Sequence, residues 1–403
     1  MAAWIRGGQV YDVHTGEYRE VDIQTQDGRI ASVGASGSPS GDDTVVDVAG
    51  AYLFPGFIDC HVHLCMPTED GNPANPWMGK LPGETAIYAA QAAERTLMGG
   101  VTTARDVGGW DYHEIAVRNL INRGKLKGPR LFCAGKLLSI TTSTTAYYPG
   151  MYDTANGVDE VRAMARKQLA MGADLIKIMG TGALTSTEYE DARAIQFQLD
   201  EVKAAVAIAE ENYKHCAAHA HACEGIRNAA LAGCRSVEHG SFGDEDTYAL
   251  MAEKGTFLVP TVCVHSALTA DQTAFDNLLP HIRQRYIDCE EAHLKNTKLA
   301  QHVGVSIAMG TDAGTPGNHH GDNMQEIERM VTGAGLTPRQ AIESATMGGA
   351  NLLRRENELG SLDAGKFGDI VGFTADPLAD IHAIRDVALV IKGGETMRND
   401  LNG

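Results

Sequence analysis

His61 and His63 stand two residues apart in Asp59-Cys60-His61-Val62-His63. On an extended strand, residues at that spacing face one side. Both imidazoles can therefore hold one metal, and neutral imidazole suits zinc and its neighbours. Two packed or surface histidines would look the same, so the pair needs support from the rest of the chain. Lys177 supplies it. It lies in Ala173-Asp174-Leu175-Ile176-Lys177-Ile178-Met179, an apolar strand pattern, and lysine is almost never fully buried unless paired. Burial favours the neutral amine. A neutral amine can add carbon dioxide to give a carbamate, which turns a cation into a bidentate oxygen ligand able to bridge two metals. The competing reading is a lysine paired with a nearby carboxylate.

The two-residue spacing recurs in Ala217-Ala218-His219-Ala220-His221, and spacing alone does not rank His219 against His221. His239 ends Ser236-Val237-Glu238-His239-Gly240, where the glycine lets the backbone turn away. Asp312 lies in Met309-Gly310-Thr311-Asp312-Ala313-Gly314. A carboxylate there can bind a metal, accept a proton from an attacking water and return it to a leaving amine. Alone it would read as a turn residue. Together these groups suit a two-metal hydrolase, in which the metals lower the pKa of a bridging water, polarise the scissile carbonyl and orient the substrate. A closed structural zinc site fits less well, because the donors come from five or six different strand candidates.

Those candidates are eight apolar runs in the middle of the chain: 56–63, 101–107, 130–134, 174–179, 215–221, 236–239, 257–262 and 305–309. Helical stretches lie between them, including 84–98, 158–171, 201–212, 224–232 and 283–303. Strand–helix alternation implies parallel pairing with right-handed crossovers. Eight such units point to an α/β fold of the (β/α)8 TIM-barrel type, with the site at the C-terminal ends of the strands. A doubly wound open sheet is the alternative, but no G-x-G-x-x-G follows the first run. Both ends of the chain alternate polar and apolar residues instead. A hairpin is expected around Asp27-Gly28, with strands at 44–48, 51–54, 369–373 and 387–391. The economical division is a small β-sandwich domain from residues 1–55 and 357–403, flanking a barrel over residues 56–356.

The 403 residues suffice for such a barrel with additions. A formal charge of −18 disfavours nucleic acid and anionic membranes as partners. The eight cysteines form no C-x-x-C pair and mostly lie in apolar segments, so reduced, buried thiols are expected. The N-terminus has no signal-peptide core, and no run of about 18 apolar residues could span a membrane. The cytoplasm is the default location.

Taken together, the motifs resemble the amidohydrolase superfamily, most closely its imidazolonepropionase-related branch, which includes prolidase-like and other C-terminal dipeptide hydrolases. The resemblance runs over nearly the whole chain. It includes Phe54-Pro55-Gly56-Phe57-Ile58-Asp59-Cys60-His61-Val62-His63, Gly100-Val101-Thr102-Thr103-Ala104-Arg105-Asp106, the Lys177 strand, Val237-Glu238-His239-Gly240, Gly310-Thr311-Asp312-Ala313-Gly314 and Gly360-Ser361-Leu362-Asp363-Ala364-Gly365-Lys366. It implies a centre of two divalent metals, usually zinc. His61, His63 and Asp312 would hold the more buried metal, His219 and His239 the other, with carboxylated Lys177 between them and Asp312 as the proton-transfer group. His221 becomes a substrate contact on this basis. The implied reaction is hydrolysis of a dipeptide, Xaa-Pro among them, or of an N-acyl amino acid. A homo-oligomer is implied as well.

Two loops depart from the branch. After the third strand, relatives carry a Gly-Gly-His-Gly-like turn where this chain has residues 139–149, so Tyr147, Tyr148 and Tyr152 are candidates for the missing polarising group. After the seventh strand, His265 stands where relatives often place a tyrosine. Arg193 is a candidate cation for a substrate carboxylate, and His319 and His320 could line the mouth. Arg105 and Asp106 either orient metal ligands from behind or form a buried ion pair. Competing functions are a cyclic-amide hydrolase of the imidazolonepropionase or hydantoinase type, an organophosphate or lactone hydrolase using the same metals, and a non-catalytic metal-binding barrel. Imidazolonepropionases use one metal and lack the strand lysine, so Lys177 speaks against that member.

Overall fold

The computed structural model describes residues 2–34, 39–41, 43–48, 50–67, 77 and 80–401. The alternating N-terminal residues form β1 (Ala2–Asp12), β2 (Glu17–Gln26), β3 (Arg29–Val33), β4 (Thr44–Asp47) and β5 (Tyr52–Pro55). Asp27 and Gly28 both adopt positive φ, 52° and 79°, and close the β2–β3 hairpin as a tight two-residue turn.

The centre alternates strand and helix. In chain order it comprises β6 (Phe57–Val62), α1 (Pro82–Met98), β7 (Val101–Asp106), α2 (His113–Asn122), β8 (Arg130–Cys133), β9 (Leu137–Ser139), α3 (Ser143–Tyr147), β10 (Tyr152–Thr154), α4 (Val158–Ala170) and β11 (Ile176–Met179). It continues with α5 (Leu199–Glu211), β12 (Cys216–Ala222), α6 (Cys223–Ala232), β13 (Ser236–Phe242), α7 (Glu245–Lys254), β14 (Phe257–Val259), α8 (Cys263–Ala270), α9 (Gln272–Asn277), α10 (Pro280–Val303) and α11 (Gln325–Thr332). Local chemistry marks the helix ends. Pro82 and Pro280 open α1 and α10, while Gly233, Gly255 and Gly304 end α6, α7 and α10 in the left-handed conformation. α5 buries Val202, Ala205, Val206 and Ala209, the stripe of an amphipathic helix packed on a sheet. Every residue of β6, β7 and β11 is buried, as befits parallel strands covered on both faces.

Two parallel sheets result, β6-β7-β8 and β10-β9-β11-β12-β13-β14. Backbone hydrogen bonds connect them on both sides. Asp174 N donates to Cys133 O (2.7 Å), joining the approach to β11 to β8. Residues 306–313 lie between β14 and β6: Leu258 N donates to Ser306 O, Cys60 N to Met309 O and Asp312 N to His61 O. The expected strand over 305–309 thus pairs through one isolated bridge, Leu258 to Ile307, with a second, Val62 to Ala313, just beyond it, and not as a ladder. The positive φ of Asp312 (60°) turns the backbone between them. β9 and β10, three residues each, were not anticipated.

The chain then returns to the first sheet with β15 (Ile370–Phe373), β16 (Val387–Lys392) and β17 (Glu395–Asn399). The order β17-β16-β15-β5-β1-β2-β3, with β4 beside β1, is one sheet built from both ends of the chain. Among the described residues, no helix is long and apolar enough to cross a membrane.

A Cβ at Gly310 would stand 2.3 Å from Val259 Cγ1 and 2.7 Å from His61 Cβ. Gly310→Ala should overpack this junction and cost about 1–3 kcal/mol, read as a lower denaturant midpoint with an unchanged slope.

Candidate active site

The site is built on a buried ion pair. Arg105, on β7, is fully buried, as is Glu238, on β13. One guanidinium nitrogen of Arg105 donates to both Glu238 oxygens, at 2.8 and 3.0 Å. Its remaining groups bond Cys60 O (2.6 Å) and Ser236 Oγ (3.0 Å). Glu238 also accepts from Ser236 Oγ (2.5 Å) and faces His61 Nδ1 at 2.8 Å. Burial pushes the Glu238 carboxyl up, yet Arg105 and His61 together hold it well below the usual carboxylate range. Arg105 is therefore both alternatives at once, an ion-pair partner that orients a histidine. Asp106 does not join it. Its carboxylate accepts from the backbone N–H groups of Leu64 (2.8 Å) and Gly108 (3.0 Å), which shapes the turn beside His63.

Above this base the histidines converge. His61 Nε2 and His63 Nε2 lie 3.3 and 3.2 Å from Asp312 Oδ1. His219, His221 and His239 form a second trio, with ring centroids 4.5–5.0 Å apart. Each imidazole commits one nitrogen to an outer partner. His61 Nδ1 faces Glu238, His63 Nδ1 faces Gly108 O (2.9 Å), His219 Nε2 faces Gly182 O (2.9 Å), His221 Nδ1 faces Ser241 Oγ (2.9 Å) and His239 Nδ1 faces Thr261 Oγ1 (2.8 Å). All five rings line one cavity, and the second nitrogens of His61 and His63 turn to Asp312. Outer partners of this kind fix the tautomer and ring orientation of metal-binding histidines, so the donor set fits divalent metals. It groups His221 with His219 and His239 and does not rank them.

His239 and Asp312 are both non-glycine residues at positive φ, 70° and 60°. That conformation is costly for a side-chain-bearing residue. At His239 it breaks the strand alternation, so that Glu238 and His239, adjacent in sequence, both serve the site.

Lys177 is 1 % exposed and faces the same cavity as the histidines. Burial, opposed by Glu238, lowers its ammonium to about 8. Burial, reinforced by Lys177, brings His219 down to about 3. Burial also places His221 and His239 well below the usual histidine range. Burial raises the Asp312 carboxyl, but His61 and His63 together carry it well below the ordinary value and keep it ionised.

A cavity of about 80 Å³ opens above these groups. Its walls include Met66, Leu137, Met151, Met179, Tyr148 and Tyr152, together with His265, Tyr286 and His293. Tyr148, Tyr152, His221 and His265 thus lie where a substrate contact was expected. Tyr147 and Arg193 do not. Tyr147 is 41 % exposed at the end of α3 and packs on Tyr148, so the loop turns its neighbour inward instead. Arg193 pairs with Asp191 (3.2 Å) in an adjoining, more open pocket. His319 pairs with Asp271 (3.4 Å), and His320 Nε2 lies 3.2 Å from His63 O, so neither lines the cavity. Glu238, Tyr286 and His293 are the residues that sequence reasoning missed. For His293 a signal existed, since it recurs four residues after Cys289 on one face of a long helix.

The fold and this site belong to one class: the chain is a member of the amidohydrolase family, whose model matches residues 52–397. It is a hydrolase acting on C–N bonds, and such enzymes are generally metal-dependent. The relatives make the likeness concrete. An ochratoxinase of Aspergillus niger is 30% identical over 372 residues, covering 86% of this chain and 75% of that protein. A solved Xaa-Pro dipeptidase with methionine bound in its active site is 33% identical, with a TM-score of 0.88, covering 98% of this chain and 99% of that one. A prolidase solved with N-methylphosphonate-L-proline is 26% identical, with a TM-score of 0.89, covering 99% of this chain and 100% of that one. These neighbours imply a TIM-barrel-like α/β fold.

Glu238→Gln would leave the Arg105 charge buried without its counter-ion. The variant should lose about 3–5 kcal/mol of stability and about 10–100-fold in metal affinity. Denaturant unfolding and metal titration read the two effects separately.

Proposed function

We propose that this chain hydrolyses the amide bond of dipeptides, Xaa-Pro dipeptides among them, or of N-acyl amino acids at a centre of two divalent metals, zinc by preference. One observation carries the reading: His61, His63, His219 and His239 line one cavity while an outer partner fixes each ring, with Asp312 and the buried amine of Lys177 beside them. In this reading His61, His63 and Asp312 hold one metal and His219 and His239 the other. Lys177 adds carbon dioxide at its neutral amine, with loss of a proton, and lies between them as the carbamate. When bound, such a pair lowers the pKa of water, polarises the scissile carbonyl and orients the substrate.

The chain's own groups do the rest. Asp312, held ionised, accepts a proton from the water that attacks the carbonyl carbon and delivers it to the departing nitrogen as the C–N bond breaks. The methionine and leucine walls exclude water from the acyl and amine halves, which strengthens every polar contact inside. Tyr148 and Tyr152, from a loop region that lacks a histidine, and Tyr286 on α10 bring hydroxyl donors to the cavity where the substrate carbonyl would lie. The Xaa-Pro dipeptidase and prolidase neighbours support a dipeptide substrate. We further propose that residues 56–356 close as a (β/α)8 barrel, supported by the hydrogen bonds of residues 306–313 to β6 and β14. Residues 1–55 with 357–403 then form a separate β-sandwich domain. The acidic surface accords with a small-molecule substrate and with neither nucleic acid nor membrane. A cytoplasmic homo-oligomer completes the proposal.

The direct test is amino-acid release from a panel of free and N-acylated dipeptides by zinc-loaded protein. Release from linear amides is expected. Silence with metal bound would turn attention to cyclic amides, lactones and organophosphates. Asp312→Asn should lower kcat by about 10²–10⁴ while keeping much of the metal, and near-normal turnover would remove Asp312 from proton transfer. Lys177→Ala should abolish turnover, with partial rescue by a short carboxylic acid; unchanged activity would exclude the carbamate.

A further inference from the structure

A second group of metal-ligating side chains converges beside the cavity. His265 on α8 and Cys289 and His293 on α10 are all buried, and their ligand atoms lie within 4.8 Å of one another. Cys289 and His293 are four residues apart, so one helix presents both on the same face. None of the three belongs to the histidine–aspartate cluster.

The hydrogen bonds of this group do not close on themselves. His293 Nε2 lies 3.0 Å from the backbone carbonyl of His239, which can only accept, so His293 carries its proton there. His293 Nδ1 is then a lone pair, and it faces His265 Nε2 at 2.9 Å. A hydrogen bond across that gap requires the His265 proton to be on Nε2. His265 Nδ1 then becomes a buried acceptor, and it has no hydrogen-bond partner. The polar group beside His265 is the Tyr286 backbone carbonyl, itself an acceptor. Buried polar atoms are rarely left in this state.

The other tautomer removes the orphaned acceptor. With its proton on Nδ1, His265 presents an N–H on that side of the ring, beside the Tyr286 carbonyl, while His293 Nε2 donates to that of His239. The two inner nitrogens then face each other as lone pairs beside the Cys289 thiol, and loss of the thiol proton on cation binding would make the three a set of ligands.

We propose that His265, Cys289 and His293 form a further metal site, suited to a soft divalent ion such as zinc. Thiolate and imidazole are the donors zinc takes in such sites. Binding expels the Cys289 thiol proton to solvent and moves the His265 proton from Nε2 to Nδ1; no oxidation is involved. Two nitrogens on a tetrahedral zinc stand roughly 3.3 Å apart at the usual bond length, so the rings need separate by only a few tenths of an ångström. Two of the three side chains line the cavity, so a fourth coordination position is within reach of solvent or substrate. The ion would tie α8 to α10, the helices that bring Tyr286 and His265 to the cavity wall.

The test uses the full chain, stripped of metal and reloaded with cobalt(II) alone. Metal is counted per chain and the absorption spectrum recorded. The site predicts an equivalent beyond those of the histidine–aspartate cluster, with a near-ultraviolet thiolate-to-cobalt band. Cys289→Ser should remove the band and that equivalent while leaving the others. His265→Gln should also lose that equivalent, which guards against a folding defect in one variant. A wild-type chain with no thiolate band means that a shared proton bridges the two rings, and it overturns the site. A band that survives in Cys289→Ser overturns it too. The histidine–aspartate cluster contains no sulfur, so loss of amide hydrolysis with the band intact counts against the proposed function and not against this site.

Discussion

A guanidinium and a carboxylate with no access to water lie under the whole site. Taking Arg105 and Glu238 out of solvent costs several kcal/mol per ion, and the fold recovers this only because every polar atom of the pair is engaged. Arg105 reaches the β6 backbone at Cys60 and the β13 side chains Ser236 and Glu238. Glu238 reaches back to His61 on β6. Three strands are thereby held in register by one network, and the first histidine of the site takes its orientation from it. A half-satisfied version would be worse than an apolar core, so the base of the site is all-or-none.

Upon that base the molecule separates two tasks. Strands fix the groups that can hold metal: His61 on β6, Lys177 on β11, His219 on β12 and His239 on β13. Loops and helices beyond the strands form the walls, with Tyr148 following α3, His265 on α8 and Tyr286 on α10. The walls can change without disturbing the strands. Relatives as different as an ochratoxinase and an Xaa-Pro dipeptidase accord with that division.

The strand residues were legible in the sequence for the same reason. Residues in β6, β11 and β12 are buried on both faces, so an isolated histidine or lysine stands out against an apolar run. Glu238 was not legible: next to a histidine at the end of a strand it reads as a solvated carboxylate, and only the partnership with Arg105, 133 positions away, places it inside. The loop tyrosines show the other limit. Tyr147 and Tyr148 are neighbours of one type, and which of them faces the cavity depends on how α3 ends. The stretch 305–309 has strand composition but pairs only through a single bridge, and the chain bends at Asp312 just beyond it. β9 and β10 are too short for periodicity to register.

The left-handed backbone at His239 and Asp312 bears on how this site can be dissected. Asparagine and aspartate visit that conformation with little penalty, whereas alanine pays for its Cβ. An alanine scan would therefore weigh the residues on different scales. At His61, His63 and His219 it would report the missing imidazole. At His239 and Asp312 it would add a backbone that prefers to relax, pulling Gly240 or Ala313 with it. Asparagine is the fairer blank at these two positions, because it removes the imidazole at His239 and the proton-accepting carboxylate at Asp312 and leaves the bend.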